Sequence, residues 1–315
     1  GSAEAERCAN ALERLEAAVR ERRQFYGVTT GFGPLATRLI EPADSARLQQ
    51  NLVHHLASGV GPPLRWDQAR ALVLARLISL AQGASGVSRA TLDRLVTLLN
   101  STLAPEIPAR GTVGASGDLT PLAHLVLCLQ GRGGFCDAQG TVLNGRDGLQ
   151  KLGLAPLTLG YRDGLALVNG TAAMTGVALV NAHHMERALR WSVAITAALG
   201  ECLSARVEAW DPAFAVLRPH AGQARASDGL RAHTQDSRRL EREPLATRVL
   251  PEDTRAPAAL AGQDAYTLRC APQVIGAVWD TADWHRRIVD TELASVTDNP
   301  IFPAEGTAPA LHGGN

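Results

Sequence analysis

The chain has 315 residues, 45% hydrophobic and 20% charged, enough apolar material for one large or two modest cores and too much for a disordered chain. Its 31 Lys and Arg balance 31 Asp and Glu, and zero net charge excludes the electrostatic footprint of a general nucleic-acid or anionic-membrane binder. Lys151 is the single lysine, so arginine carries nearly all the positive charge; that skew reads as coding bias before phosphate recognition.

In chain order, the pattern is helical almost throughout. An Ala/Glu/Arg-rich surface helix is expected over 3–23, followed by helices over 43–58, 67–82 and 89–102, with Asp67 and Ser88 as N-caps. Thr120 before Pro121 predicts an N-cap with proline at the first helical position, opening a helix through Gln130. Residues 134–143 predict a small hairpin turning near Gln139-Gly140. A long helix is expected over 171–203. Residues 204–262, polar and broken by Pro219, Pro244, Pro251 and Pro257, predict one or two short helices and a mobile loop. A last long helix is expected over 272–295.

The uncharged run 164–185 has the length of a membrane span, but Asn169, Thr171, Thr175, Asn181 and two histidines argue for a buried helix. Five scattered cysteines (Cys8, Cys128, Cys136, Cys202, Cys270) contain no CxxC pair, which points to a reducing cytosol rather than to a disulfide framework or a zinc ribbon. The N-terminus reads as a charged helix instead of a signal peptide, with Gly1-Ser2 as an expression scar. The closing ALHGGN reads as a turn between elements, so the chain is expected to be part of a longer protein.

Two glycine-rich segments carry the chemistry. Around Tyr26, YGVTTGFG at 26–33 sets three glycines beside two threonines; composition favours a surface turn, and the functional alternative is a mobile lid that delivers Tyr26 to a site. In GTVGASGDLTP at 111–121, glycines surround Ser116 just before a helix. The loop lacks a P-loop lysine and fits neither GxGxxG nor a GxSxG elbow, so no nucleotide and no serine nucleophile is assigned. A different chemistry suits it. In a tight bend the amide nitrogen of Gly117 can attack the carbonyl carbon of Ala115, and loss of water from the ring and from Ser116 leaves an electrophilic methylidene. A second GASG at 83–86 lacks the flanking residues and reads as a turn.

GTVGASGDLTPLAH resembles the signature of the aromatic amino-acid ammonia-lyases, which build a methylidene-imidazolone (MIO) group from Ala-Ser-Gly. Further blocks resemble the same family: YGVTTGFG at 26–33, LVNGT at 167–171, GQDAYTLRCAPQVIG at 262–276 and TDNP at 297–300. The resemblance implies a mainly α, ammonia-lyase-like fold, with an MIO-bearing N-terminal domain over 3–145 and the first part of a central helical bundle over 146–315. It implies that Ala115, Ser116 and Gly117 form the electrophile and that Asn169 hydrogen-bonds its carbonyl. It implies further that Tyr26 removes the substrate β-proton, that Tyr266 lies opposite, and that Arg269 grips the substrate carboxylate, for which a planar guanidinium is suited. A free phenol titrates at roughly 10, so a tyrosine base needs helix dipoles or an activated carbon acid. The family also implies a cytoplasmic homotetramer with active sites shared between subunits.

Selectivity points to NLVHHLASG at 51–59. At 100° per residue His55 falls about 20° from Leu48 on the stripe shared with Leu52 and Leu56, an inner face, with His54 outside. A core histidine bonded to a carbonyl is the plain reading. The His-Leu pair resembles tyrosine ammonia-lyases, which implies that His55 and Leu56, with Gly33 on the lid, meet the substrate ring. L-tyrosine giving p-coumarate is then the expected reaction, with L-phenylalanine poorer and a tyrosine aminomutase or a catalytically incomplete fragment as the alternatives. Adjacent histidines diverge on a helix and no HExxH exists, so no metal is assigned. Ala294 stands where the family places asparagine in the segment before TDNP, leaving a local polar contact in doubt.

Overall fold

The computed structural model describes residues 2–112, 117–249, 262–303 and 310–314. It is mainly helical, as expected. Two compact units divide the chain: Gly1–Val180 with Val289–Asn315, and Asn181–Ile288.

The first unit opens with α1 (Ser2–Arg20), whose Ala11, Leu15, Ala18 and Val19 form a small core with Phe25, Val28 and Phe302. Next come α2 (Ser45–Leu56), β1 (Val60–Pro63) and α3 (Trp66–Ala81). The expected cap at Asp67 is wrong. Arg65 is the extended capping residue, its N–H donating to Gln68 Oε1, while Asp67 sits in the first turn, where a carboxylate suits the helix dipole. The 83–86 GASG copy is the turn after α3, with Gly83 and Gly86 at φ +82° and +63°. Ser88 does cap α4 (Arg89–Asn100), accepting from Thr91 N–H.

Two short strands follow, β2 (Ala104–Pro105) and β3 (Pro108–Arg110), before α5 (Leu119–Leu129). Thr120 is not the cap of α5; Asp118 holds that position. Pro121 is tolerated inside the first turn because its missing N–H belongs to the set with no intrahelical partner. The predicted hairpin is β4 (Gly134–Cys136) and β5 (Val142–Asn144), to which β2 adds a third antiparallel strand. β1 pairs with β3. These strands were unanticipated, being two to four residues long and proline-bearing. Short helices α6 (Gly145–Lys151) and α7 (Asp163–Val168) complete the run to α8 (Ala172–Cys202). The main core joins Leu72, Leu95, Leu122, Val126, Phe135 and Leu167. The stretch Asp163–Cys202 is long and apolar enough to cross a membrane, and 56% of its most apolar window is buried inside the protein.

In the second unit, α9 (Pro212–Leu217), α10 (Ala221–Thr234) and α11 (Tyr266–Arg269) lead to α12 (Ala271–Leu293). α10 is longer than the short helices predicted, because Gln223, Ala226, Ser227, Leu230 and Thr234 recur at helical spacing as its buried face. Trp210 anchors this core, its indole donating to Leu268 O at 3.1 Å. The part of the predicted loop with Pro251 and Pro257 lies outside the described residues.

Candidate active site

The Tyr26 segment is tied down by its own polar side chains. Thr29 Oγ1 accepts from Phe25 N–H at 2.8 Å and donates to Arg23 O at 2.9 Å, while Gly27 N–H reaches Thr30 Oγ1. Backbone bonds Gly31 N–H to Arg38 O and Ile40 N–H to Thr29 O close the loop on its other side. Phe25 and Val28 are buried and anchor it to the small core. Gly27 takes φ +68°, and a side chain there would collide with the Phe32 ring, so glycine is required for both conformation and space. Tyr26 stays half-exposed. Its hydroxyl accepts from Gly33 N–H at 3.0 Å, and its own N–H donates to His312 Nε2 at 3.3 Å. The Phe32 ring stands edge-on to it, with centroids 6.1 Å apart.

On α2 the predicted inner face is corrected. The buried stripe is Ser45, Gln49 and Val53, four residues apart, while Leu48, Leu52, Leu56 and the exposed His55 line a cavity of about 720 Å³ together with Tyr26, Phe32, Gly33, Leu165 and Asn169. The physical reason lies in Gln49. It is fully buried, donating to Gly27 O at 2.8 Å and accepting from Leu165 N–H at 2.7 Å. One side chain thus joins the Tyr26 loop to α7, and facing these two backbone groups turns the leucine stripe towards the cavity. His54 is outside as expected, within 2.6 Å of Arg132 Nη1.

Asn169 is buried at the end of α7, its Nδ2 donating to Asn299 O at 2.7 Å and to Asp298 Oδ1 at 3.4 Å. Gly170 follows at φ +153° and its carbonyl accepts from Asp118 N–H at 2.7 Å. Gly117 lies directly against it: φ is +93°, and a Cβ on Gly117 would stand 2.5 Å from Gly170 O. Only glycine can occupy this seat, which fits a ring closed through an unhindered Gly117 nitrogen. Ala115 and Ser116 lie outside the described residues. α5 and α8 start within a few residues of Gly117 and Gly170, and the Asp118 carboxylate accepts from Met174 N–H at 2.7 Å in the first turn of α8. Two helix N-termini therefore converge on this point.

In the second unit, Tyr266 and Arg269 meet each other. The guanidinium carbon lies 4.0 Å from the Tyr266 ring centroid, a cation–π geometry. Tyr266 is 71% exposed at the first position of α11. Arg269 is half-buried and lines a cavity of about 240 Å³ with Arg206, Glu208 and Asp264.

The structure thus gathers Tyr26, Gly33, His55, Leu56 and Asn169 round one cavity, seats Gly117 under Gly170, and pairs Tyr266 with Arg269. It also adds residues that sequence reasoning missed. Phe32 lies within the glycine-rich block, where it is the second aromatic beside Tyr26. Gln49 had a signal, a polar residue four positions from Ser45 and Val53. Asp298 lay within the TDNP block but had no assigned role, and Arg76 and Arg162 had no signal, since isolated charged residues read as surface.

The chain matches the aromatic amino acid lyase family over residues 2–315. It is 60% identical over 310 residues to the tyrosine ammonia-lyase of Cereibacter sphaeroides, covering 98% of this chain and 59% of that protein. It is 42% identical to a histidine ammonia-lyase of Symbiobacterium thermophilum, covering 58% of it. Among solved structures it resembles the phenylalanine aminomutase of Pantoea agglomerans (TM-score 0.90, 30% identity, all of this chain and 61% of that one). A tyrosine aminomutase from Streptomyces globisporus is also similar (TM-score 0.88, 32% identity, 98% of this chain and 60% of that one). The chain spans about three fifths of the length of each.

Proposed function

The chain belongs to the aromatic amino acid lyase family, and from that membership we propose that it serves a tyrosine ammonia-lyase, which eliminates ammonia non-oxidatively from L-tyrosine to give trans-p-coumarate, with L-phenylalanine as a poorer substrate. The observation that carries the reading is the single cavity in which the Tyr26 hydroxyl, His55 and Asn169 converge, and the 60% identity to a tyrosine ammonia-lyase supports it.

Ala115, Ser116 and Gly117 would form and hold the MIO group, which when present supplies an electrophile that activates the substrate for loss of its amine. Asn169, on the segment that covers Gly117, would assist ring formation from beside the group, its Nδ2 being held by Asn299 and Asp298. The remaining chemistry belongs to the chain's own side chains. Tyr26 takes the substrate β-proton at its phenolic oxygen, and the Gly33 N–H at 3.0 Å is a donor aimed at the atom that is negative in the tyrosinate form. The leucines of α2 hold the substrate ring and exclude water. His55 pairs with the substrate phenol, so that phenylalanine leaves a polar partner unmatched. Arg269 grips the carboxylate in a bidentate fashion, and Tyr266, stacked on it, helps to position the substrate.

The reading extends to a domain boundary near 145, an MIO-bearing part before it and the opening of a central bundle after it. It extends also to a cytoplasmic homotetramer with shared sites. Five free cysteines accord with a reducing compartment. Exposed apolar residues at helical spacing, Trp191, Ile195 and Leu199 on α8 and Val274 and Val278 on α12, offer faces for further helices or subunits.

Incubating the full-length protein separately with tyrosine, phenylalanine and histidine tests the reading. Coumarate from tyrosine is the expected product. The resemblance to aminomutases favours one rival, and β-tyrosine as the main product would replace lyase with aminomutase. An intact mass without the loss of two waters would remove the electrophile and leave a catalytically incomplete chain.

A further inference from the structure

The TDNP segment has no part in the chemistry above, yet it places a wholly enclosed carboxylate between two wholly enclosed arginines. Arg162 Nη2 donates to Asp298 Oδ1 at 2.8 Å and to Pro300 O at 2.9 Å. Arg76 Nη2 lies 3.9 Å from Asp298 Oδ2 and donates to Ala166 O. Two guanidinium groups against one carboxylate leave a buried net charge of +1. Among the described residues, Arg76 Nε and Nη1, Arg162 Nε and Nη1, and Asp298 Oδ2 have no hydrogen-bond partner. As a stabilising device this is poor: enclosed charges cost several kcal/mol each, and apolar side chains of similar volume often do as well or better.

Its contacts converge on one residue. Ala166 precedes Asn169 by a turn of α7, Arg162 is the residue before that helix, and Asp298 and Asn299 supply the two oxygens that accept from Asn169 Nδ2. Two acceptors on one arm of the amide select its NH2 group for that arm, because an amide oxygen turned there would meet only lone pairs. Arg76 Nη1 abuts Gly170, leaving no space for a side chain, and Gly170 is the residue that presses on Gly117.

We propose that Asp298, held by Arg76 and Arg162, is a positioning residue that acts through Asn169 and Gly170, so that ring closure at Ala115–Gly117 and turnover both depend on it. The proposal rests on the lyase reading above. Burial pushes Arg76 down to about 10, countered by Asp298, so the guanidinium keeps its charge at neutral pH and with it the hold on Asp298.

Two variants of the full-length protein test this. Arg76→Met with Asp298→Asn keeps the net buried charge at +1 and an acceptor for Arg162, while removing the anionic partner of Asn169. Arg162→Lys keeps the charge but loses the paired grip on Asp298 and Pro300. The readouts are intact mass, thermal melting, and kcat separately from KM. The double variant should show a reduced fraction lacking two waters, and kcat about 100-fold lower with KM changed less than about threefold, the size expected for a group misplaced by roughly 1 Å. Arg162→Lys should lose about tenfold in kcat, intermediate because a cation is retained. A folded double variant with wild-type mass and kcat would overturn the proposal. So would Arg162→Lys with wild-type kcat if the double variant does not fold, since the cluster is then structural alone. Wild-type protein without the two-water loss would instead overturn the lyase reading itself.

Discussion

Replacing Gln49 by methionine tests the link between the α2 interior and the Tyr26 loop. Gln49 is fully buried and satisfies two backbone groups, the Gly27 carbonyl at 2.8 Å and the Leu165 N–H at 2.7 Å. Methionine fills the volume but pairs with neither. Each orphaned buried group costs about 1–3 kcal/mol, and apolar burial of the new side chain returns about 1–2 kcal/mol. The net loss is then about 1–4 kcal/mol, a large share of an ordinary domain stability of roughly 5–15 kcal/mol. At about 2–4 °C per kcal/mol, Tm falls by roughly 2–16 °C. Because Gly27 adjoins Tyr26, kcat should fall by about 10- to 100-fold even well below Tm. Gln49→Glu separates the two bonds. It retains an acceptor for Leu165 but sets an ionised oxygen against the Gly27 carbonyl, so it should melt at least as early at neutral pH and recover as the pH falls and the carboxyl protonates. Thermal melts followed by circular dichroism and initial rates of conjugated-acid formation are sufficient. A methionine variant that melts within about 1 °C of wild type, with unchanged kcat, would refute the linkage.

Gly117→Ala puts a Cβ 2.5 Å from Gly170 O at φ +93°, so intact mass should show no loss of water; Gly33→Ala, at φ +50° with open space around it, should cost only about 1–2 kcal/mol of backbone strain and leave the mass of the matured protein unchanged. His55→Phe should move the kcat/KM preference from tyrosine towards phenylalanine by about 10-fold or more, and an unchanged ratio would remove His55 from substrate recognition. Burial holds His124 below the usual imidazole range, and burial followed by the nearby Arg162 does the same for His312. The unfolded chain therefore binds more protons below about pH 6.5, so these two groups contribute no slope above pH 7 and destabilise the fold as pH falls through 6.5 towards the folded values. His312→Gln should lessen the drop in Tm between pH 7.5 and 5.5, and a wild-type Tm that rises on acidification would contradict this.

The long helices were legible because their apolar periods exceed two turns, and Ser88 because a serine cap acts through its immediate neighbours. Thr120 and Asp67 misled for one reason: capping potential is local, but the helix start was set two residues earlier, by the non-helical Asp118 or Arg65. The candidate site was legible where glycine and chemistry coincide, at Tyr26, Gly117 and Asn169. Its supporting residues were not. Hydrophobic periodicity assigned the inside of α2 to leucines, whereas the interior is claimed by Gln49, whose partners lie 22 and 116 positions away. Arginine enrichment read as coding bias concealed Arg76 and Arg162, whose burial is decided by a carboxylate at position 298.

That separation along the chain has a consequence for biosynthesis. The first compact unit is discontinuous: its last segment starts at Val289, after the roughly one hundred residues of the second unit. A ribosome adding about 5–20 residues per second leaves an interval of roughly 7–27 s in which Arg76 and Arg162 have emerged without Asp298. Through that interval both arginines remain best solvated by water, so the region around Asn169 closes only when the nascent chain delivers its carboxylate, and the order of synthesis sets the earliest moment at which the cavity can acquire its final form.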